Sequence, residues 1–431
     1  MQPYSPERRT ALVLCGTGAH GAYHAGVLRA LEEAGVKIDI VAGHGVGAAS
    51  AALAAIGGSA RLWDEDGVWR SGAAAAFYGW KSPLRASAGL ALLLVAALAV
   101  LAAFEASGVV AGRRWVAIVP LGIVLLLLLT LTMGSLLTDR AGRGRRRTRG
   151  QLWWRLLGAP LDGIRVREAF AGALWQLIRG ASPAPSSPME LGRRYAEALT
   201  ENLGQPGFRE IMIVVTDLDA RIDLVAALLR EPYHREFVAA RRGRERGAEI
   251  VDFTGPGRDR SLDVIAGALT PPVVCDPHPV TFGVDSYWRG ETHRLCDRPG
   301  ASARLLEELA AAGVTQAILV SGVPREQKPH RLSAPWLDLR RRSAEFLAAA
   351  EAAALRDALE MARLRFDSVY MIAPSHNPVG PFDVAGAYDE ASDRRQDLTE
   401  LMTRAYEDAY HQFIEPVVGA SGERLAHAEP Q

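Results

Sequence analysis

The sequence predicts an α/β protein with a mainly parallel sheet, interrupted by a pair of membrane-crossing helices. Three observations carry this expectation. Short apolar runs alternate with longer amphipathic ones along most of the 431 residues, the pattern of a parallel sheet covered on both faces. Near the start, two Gly-rich turns, Gly16–Gly21 and Gly43–Gly47, each join a strand to a helix. Two uncharged apolar runs, Ala86–Phe104 and Trp115–Thr138, are each about 19 residues or longer, enough to cross a hydrocarbon core of ~30 Å.

Ala11-Leu-Val-Leu-Cys15 is bounded by the first turn and predicts a buried strand. Ala22 to Ala34 follows as a helix, with Ala25, Val27, Leu28 and Leu31 apolar at near-helical spacing and Gly35 as its stop. Val36 to Val41 predicts the second strand, and an Ala-rich helix follows Gly47. The pair of turns suits acyl transfer. The first directs free backbone N–H groups at a developing oxyanion from a helix N-terminus. The second has the shape of a nucleophile elbow, Gly-x-Ser-x-Gly, in which a strained turn exposes the middle side chain. Gly45 holds that middle place, so the elbow carries no hydroxyl.

Leu12-Val-Leu-Cys-Gly-Thr-Gly-Ala-His-Gly-Ala-Tyr-His-Ala-Gly-Val-Leu28, followed by Gly43–Gly47, resembles the opening of the patatin-like phospholipases. That family has a Gly-Gly-Gly-x-Arg-Gly oxyanion loop, a helix and a Gly-x-Ser-x-Gly elbow. The resemblance implies a three-layer α/β/α fold and a lipid acyl hydrolase ancestry. It places the oxyanion or ligand-binding loop on Gly16, Thr17, Gly18, Ala19, His20 and Gly21. Thr17 replaces the middle glycine and His20 the arginine. The family's dyad aspartate follows a Pro-Pro turn and a hairpin in a Tyr-x-Asp-Gly-Gly pattern. The matching stretch is Pro271-Pro272, then Tyr287-Trp288-Arg289-Gly290-Glu291, which sets Arg289 in the aspartate slot. A register shifted by four offers Asp285 but no following glycine; Gly290 favours Arg289. A guanidinium is no general base at ordinary pH, so the nucleophile and its base both look lost. Of the residues that could take over as nucleophile, His44 at the elbow lacks a partner, Ser50 lies more than one helical turn beyond it with its hydroxyl pointing away, and Cys15 reads as a buried strand residue.

Net charge is zero, which gives nucleic acid no global attraction. Cys15, Cys275 and Cys296 have no paired spacing, against a disulfide framework or a zinc site. His20 and His24, at i and i+4 near His44, lack a carboxylate at fixed spacing, so neither metal nor cofactor is expected. The N-terminal residues lack a signal-peptide core. Scarce Lys beside abundant Ala, Arg and Gly suggests a bacterial source.

Lys81 and Arg85 precede the first apolar run. Arg140, Arg143, Arg145, Arg146, Arg147 and Arg149 follow the second, against only Arg113 and Arg114 between them. The positive-inside rule then places a multi-pass protein in the inner membrane with its soluble part in the cytoplasm. Gln151–Arg179 predicts Trp-rich amphipathic helices, lying either in the membrane interface or on the α/β core. Ser182–Pro188 is a linker. The expected domains are 1–82 (first α/β part), 83–139 (membrane hairpin), 140–187 (basic, Trp-rich segment and linker) and 188–431 (second α/β part).

Beyond the linker, helices are predicted at Glu190–Leu203, Leu224–Arg241 with a break near Pro232, Ser261–Leu269, Leu305–Ala312, Ala344–Leu364 and Glu400–Phe413. Strands are predicted at Glu210–Thr216, Glu249–Phe253, Gln316–Val320 and Ser368–Ile372. The polar loop Ile372–Asp383 follows a strand, where it either lines a pocket with His376 or Asp383 or caps the last helix. The expected function is a membrane-anchored, patatin-like protein that binds a phospholipid or fatty acyl group without Ser–Asp hydrolysis. The alternatives are an active hydrolase with a non-standard nucleophile, or a membrane scaffold with a protein partner.

Overall fold

In the computed structural model of the protein, the described residues are 4–106, 118–129, 158–180, 187–239, 248–283, 288–325 and 338–419. The Ala11–Cys15 run lies within β1 (Thr10–Cys15), every residue of which is buried. β2 (Ile40–His44) starts four residues later than the sequence suggests and runs into the elbow itself. β3 (Gly79–Trp80) and β4 (Leu161–Asp162) are two residues each. β5 (Glu210–Asp217), β6 (Ile222–Leu228) and β7 (Ala248–Asp252) follow. Then come β8 (His278–Thr281), β9 (Thr292–Cys296), β10 (Gln316–Ser321) and β11 (Ser368–Ile372). β12 (Ala387–Asp389) and β13 (Arg394–Gln396) form a small separate pair.

The main sheet has the order β11-β10-β1-β2-β5-β6-β7, with β9 also on β5 and β8 on β9. β11, β10, β1, β2 and β5 run parallel, as do β6 and β7; the β5–β6, β5–β9 and β8–β9 pairs are antiparallel. The protein is therefore mixed α/β with a mainly parallel central sheet. Side chains alternate across a strand. On one face Ala11, Val13, Cys15, Ile40 and Ala42 pack with Leu305, Leu306 and Leu309 of the helix Ser302–Ala311 and with Leu355, Ala358 and Ala362 of the helix Leu339–Arg365. On the other, α2 (Val46–Ala55) comes so close to β1 that a Cβ on Gly47 would lie 1.9 Å from the Leu14 carbonyl oxygen. α1 (Gly21–Glu33) packs along the helix Leu398–Ala409, and Gly26 permits the approach: a Cβ there would meet the Met402 carbonyl oxygen at 2.0 Å.

One predicted helix is a strand. Leu224–Leu228 lies in β6, hydrogen-bonded to β5 on one side and β7 on the other, and a short helix, Tyr233–Ala239, begins only after Pro232. A short apolar run does not distinguish a buried strand from a helix; two open strand edges decided it here. The β8–β9 and β12–β13 hairpins were not predicted.

The chain divides into two units, Met1–Tyr78 with Gly163–Pro272 and Pro277–Gln431, and Gly79–Asp162 with Val273–Asp276. In the second, β3 and β4 pair antiparallel, so the intervening segment leaves and returns at one place. Among the described residues one helix, Ser82–Ala106, is long and apolar enough to cross a membrane, by length and composition alone. The described part of the second run, Ile118–Leu129, is a shorter apolar helix. The Arg140–Arg149 cluster and residues 151–157 lie outside the described residues. The helix Ile164–Ile178 belongs to the first unit and buries Val166, Phe170, Ala173 and Leu174, with Phe170 edge-on to Trp69. This portion of the Trp-rich segment covers the α/β core.

Candidate acyl-transfer site

The site stands at the carboxyl ends of β1 and β2, where ligands of open α/β sheets bind. Gly45 joins β2 to α2 with φ +58° and ψ −136°, outside the regions open to ordinary L-residues, which is the strained bend of a nucleophile elbow. Glycine takes this conformation without the steric cost a side chain would bring. The Gly16–Gly21 loop lies directly over it. A Cβ on Gly45 would sit 2.3 Å from the Gly16 carbonyl oxygen and 3.0 Å from Asp297 Oδ2.

Two backbone amides at this place, those of Val46 and Ala19, are bonded to carbonyls. The amide that follows the nucleophile is an oxyanion donor in such elbows; here Val46 N–H donates to the Gly16 carbonyl at 2.9 Å. In the loop, Ala19 N–H donates to the Pro381 carbonyl at 2.7 Å. The same carbonyl leaves no room for a side chain at Gly18, whose Cβ would be 1.9 Å away. Pro381 belongs to the polar loop after β11. Val379 and Phe382 of that loop are buried, and Asn377 Nδ2 ties it to the Gly322 carbonyl at 2.8 Å. The loop thus packs on the oxyanion turn and seals it, and all of Gly16–Gly21 and Gly43–Gly47 is buried. Neither polar side chain singled out in this loop is offered to the elbow. His376 bonds Asp389 at 2.9 Å, and Asp383 accepts from the Gly380 N–H at 3.0 Å.

The carboxylate beside the elbow is Asp297, just after β9. Thr17 Oγ1 donates to its Oδ2 at 2.9 Å, and its Oδ1 is 3.7 Å from His44 Nδ1. The Arg289 register is corrected by this geometry. Arg289 is exposed in the turn that links β8 to β9, the length of β9 away from Asp297. Gly290, which selected that register, has φ +69° and serves the hairpin turn. Asp285 lies outside the described residues. Asp297 is followed by Arg298, so the glycine signal that marks the family's aspartate is missing and the sequence reading passed over it.

His44 is fully buried rather than displayed at the elbow. Its Nε2 lies 3.1 Å from Glu351 Oε1 on the helix Leu339–Arg365, at ion-pair distance but off the hydrogen-bond axis. Burial alone would lower its pKa; the Glu351 carboxylate, with Asp297 and Cys15, outweighs burial and raises it well above the ordinary histidine value. Burial raises Asp297, and His44 and Thr17 offset only part of this. Burial would also raise Glu351, but His44 holds it below the usual range. Burial pushes both His20 and His24 down to about 4, so they are neutral near pH 7. His24 Nε2 meets the Cys15 carbonyl at 3.0 Å and pins the end of β1. Ser50 is buried within α2.

The elbow therefore has its bend and a carboxylate beside it, Gly45 carries no hydroxyl, and the Val46 and Ala19 amides are taken by carbonyls. The Patatin-like phospholipase family model matches residues 12–229, about half of the chain. Human Patatin-like phospholipase domain-containing protein 6 is 58% identical over 43 residues, 10% of this chain and 3% of that protein. Lysophospholipase NTE1 of Phaeosphaeria nodorum is 44% identical over 72 residues, 17% of this chain and 4% of that protein. The chain thus matches only a few per cent of the length of these curated relatives. VipD from Legionella pneumophila superposes with a TM-score of 0.33 at 13% identity, over 96% of this chain and 67% of that one, a likeness too slight to bear on the fold. The chain belongs to the patatin-like phospholipase family.

Proposed function

We propose that this protein is a membrane-attached family member that does not hydrolyse esters, and that it meets lipid through its apolar helices rather than through its elbow. One observation carries the catalytic half: Gly45 offers no hydroxyl, and the Gly16 carbonyl takes both the space above it and the Val46 amide. Acyl transfer needs a nucleophile and free oxyanion donors together. The membrane half rests on the helix Ser82–Ala106. Leu92, Leu93, Val95, Leu98 and Val100 are all exposed along it, and an apolar surface of this extent calls for a non-aqueous partner. The basic flanks favour insertion with the α/β part in the cytoplasm. The sealed elbow weakens the expectation of an acyl ligand held there and favours the scaffold alternative.

A second reading is supported by one contact. Thr17 Oγ1 donates to Asp297 Oδ2 at 2.9 Å, which is the hydroxyl-to-carboxylate relation of a Ser–Asp dyad moved from the elbow to the loop above it. In this reading, once the loop around Pro381 has opened, Thr17 Oγ1 attacks the ester carbonyl carbon and Asp297 takes its proton, the ester C–O bond breaks with that proton passing to the departing alcohol oxygen, and water then hydrolyses the acyl-threonine.

The experiment is hydrolysis of lysophospholipid, diacyl phospholipid and p-nitrophenyl esters by the full-length protein in detergent. The expected result is no release above buffer, with Thr17→Val and Asp297→Asn indistinguishable from the unaltered protein. Turnover abolished by both substitutions overturns the non-hydrolytic reading and establishes the second.

A further inference from the structure

Three side chains from distant stretches meet beneath the elbow. Cys15 and His44 end adjacent parallel strands, one position beyond the Leu14–Gly43 pair, so both project to the face covered by the helix Leu339–Arg365. Glu351 comes from that helix. The sulfur of Cys15, an imidazole nitrogen of His44 and a carboxylate oxygen of Glu351 all lie within 4.8 Å of one another, and all three residues are buried. Glu351 is held in place through its other oxygen, Oε2, which accepts the Gly300 N–H at 2.9 Å and leaves Oε1 aimed at His44 Nε2. Both imidazole nitrogens, Glu351 Oε1 and Asp297 Oδ1 are buried without a hydrogen-bond partner. Burying a polar atom without a partner is costly. They face one another as two pairs, His44 Nε2 with Glu351 Oε1 at 3.1 Å and His44 Nδ1 with Asp297 Oδ1 at 3.7 Å, and the first pair stands beside the Cys15 sulfur.

We propose that Cys15, His44 and Glu351 form a binding site for a divalent transition metal of the zinc class, which ties β1, β2 and the helix Leu339–Arg365 together under the elbow. The donor set fits. Thiolate, imidazole and carboxylate are all zinc ligands, and a thiolate selects against magnesium and calcium. Bonds of about 2.0–2.3 Å in a tetrahedron separate the donors by about 3.3–3.7 Å. The 3.1 Å between His44 Nε2 and Glu351 Oε1 is already close to that edge. With Nε2 on the metal, His44 Nδ1–H faces Asp297 Oδ1 at 3.7 Å, the carboxylate-behind-imidazole arrangement that orients metal-bound histidines. Thiolate and carboxylate neutralise the divalent charge, and the Cys15 proton and any proton on His44 Nε2 leave to solvent on binding. The site is independent of ester hydrolysis. The sequence hid it because Glu351 lies far along the chain from Cys15 and His44.

The test loads the full-length protein, purified without chelator, with zinc chloride or cobalt chloride and removes the excess by dialysis. About one zinc per chain by mass spectrometry is expected, with a thiolate-to-cobalt charge-transfer band in the cobalt form and a lower Tm after a chelator strips the metal. Cys15→Ser and Glu351→Gln should each lower retained zinc at least about tenfold, and Cys15→Ser should erase the cobalt band. If either variant fails to fold, the cobalt band and the chelator-dependent Tm of the unaltered protein decide. Less than about a tenth of an equivalent of zinc with no cobalt band overturns the proposal. Full zinc retention in both folded variants overturns it as well.

Discussion

A serine at position 45 would restore the family motif on paper, yet this site would reject it. Its Cβ would press to 2.3 Å from the Gly16 carbonyl oxygen, and the backbone there has φ +58°. Gly45→Ser is therefore expected to destabilise by about 1–3 kcal/mol, read from thermal unfolding, and to yield no ester hydrolysis. The obstacle is the sealed loop; Asp297 supplies a carboxylate within reach, so a missing base is not the reason. At this scale the sequence was legible where residue type and spacing coincide. Gly16, Gly18, Gly43, Gly45 and Gly47 are all placed by close backbone approach or a left-handed bend, and all were visible as a pattern. Asp297 and Glu351 were not. Asp297 lacks its following glycine, and Glu351 is one acidic residue in a long Ala/Glu/Arg helix, with nothing local to set it apart.

Elements were readable where the apolar period was long and failed where pairing decided. β1, α1 and the helix Leu339–Arg365 follow from their own residues. β6 does not, since Leu224-Val-Ala-Ala-Leu228 suits either state until β5 and β7 offer edges. The β12–β13 hairpin is held by polar contacts no periodicity reveals. The Asp389 carboxylate, buried between the strands, accepts from Ser392 Oγ at 2.7 Å and from the Ala391 amide at 3.0 Å, and pairs with His376 at 2.9 Å. Burial alone would raise its pKa; these bonds outweigh burial and bring it from 3.8 to about 2. Because the folded value lies below the unfolded one, its stabilisation is complete above pH 3.8 and is lost as pH falls through about 2. Asp389→Asn should cost about 2 kcal/mol at pH 7. Thermal unfolding should show the gap to the unaltered protein narrowing below pH 4 and closing near pH 2; a gap independent of pH would deny the linkage.

At the scale of the whole molecule, the neck of the insertion explains how an α/β domain tolerates a long apolar interruption. Gly79 pairs with Asp162 and Trp80 with Leu161, and Lys81 N–H reaches the Pro160 carbonyl at 3.1 Å, so chain ends separated by some eighty residues are already side by side. Removal of residues 84–138 is accordingly expected to leave the sheet intact and to move the protein from the membrane pellet to the supernatant in high salt. Persistent pelleting of the deleted form would show attachment through another surface. The helix Ile164–Ile178 was legible as an amphipathic helix but its packing partner was not: a Trp-bearing face suits a membrane interface or a sheet equally, and its buried Val166, Phe170 and Leu174 settle on the core.

The elbow carries no hydroxyl and is covered, and a fluorophosphonate probe tests this most directly, because it labels any hydroxyl activated for acyl transfer. Intact-mass analysis of the full-length protein after exposure should find no adduct. A stoichiometric adduct mapped to Thr17 and abolished in Asp297→Asn would contradict it.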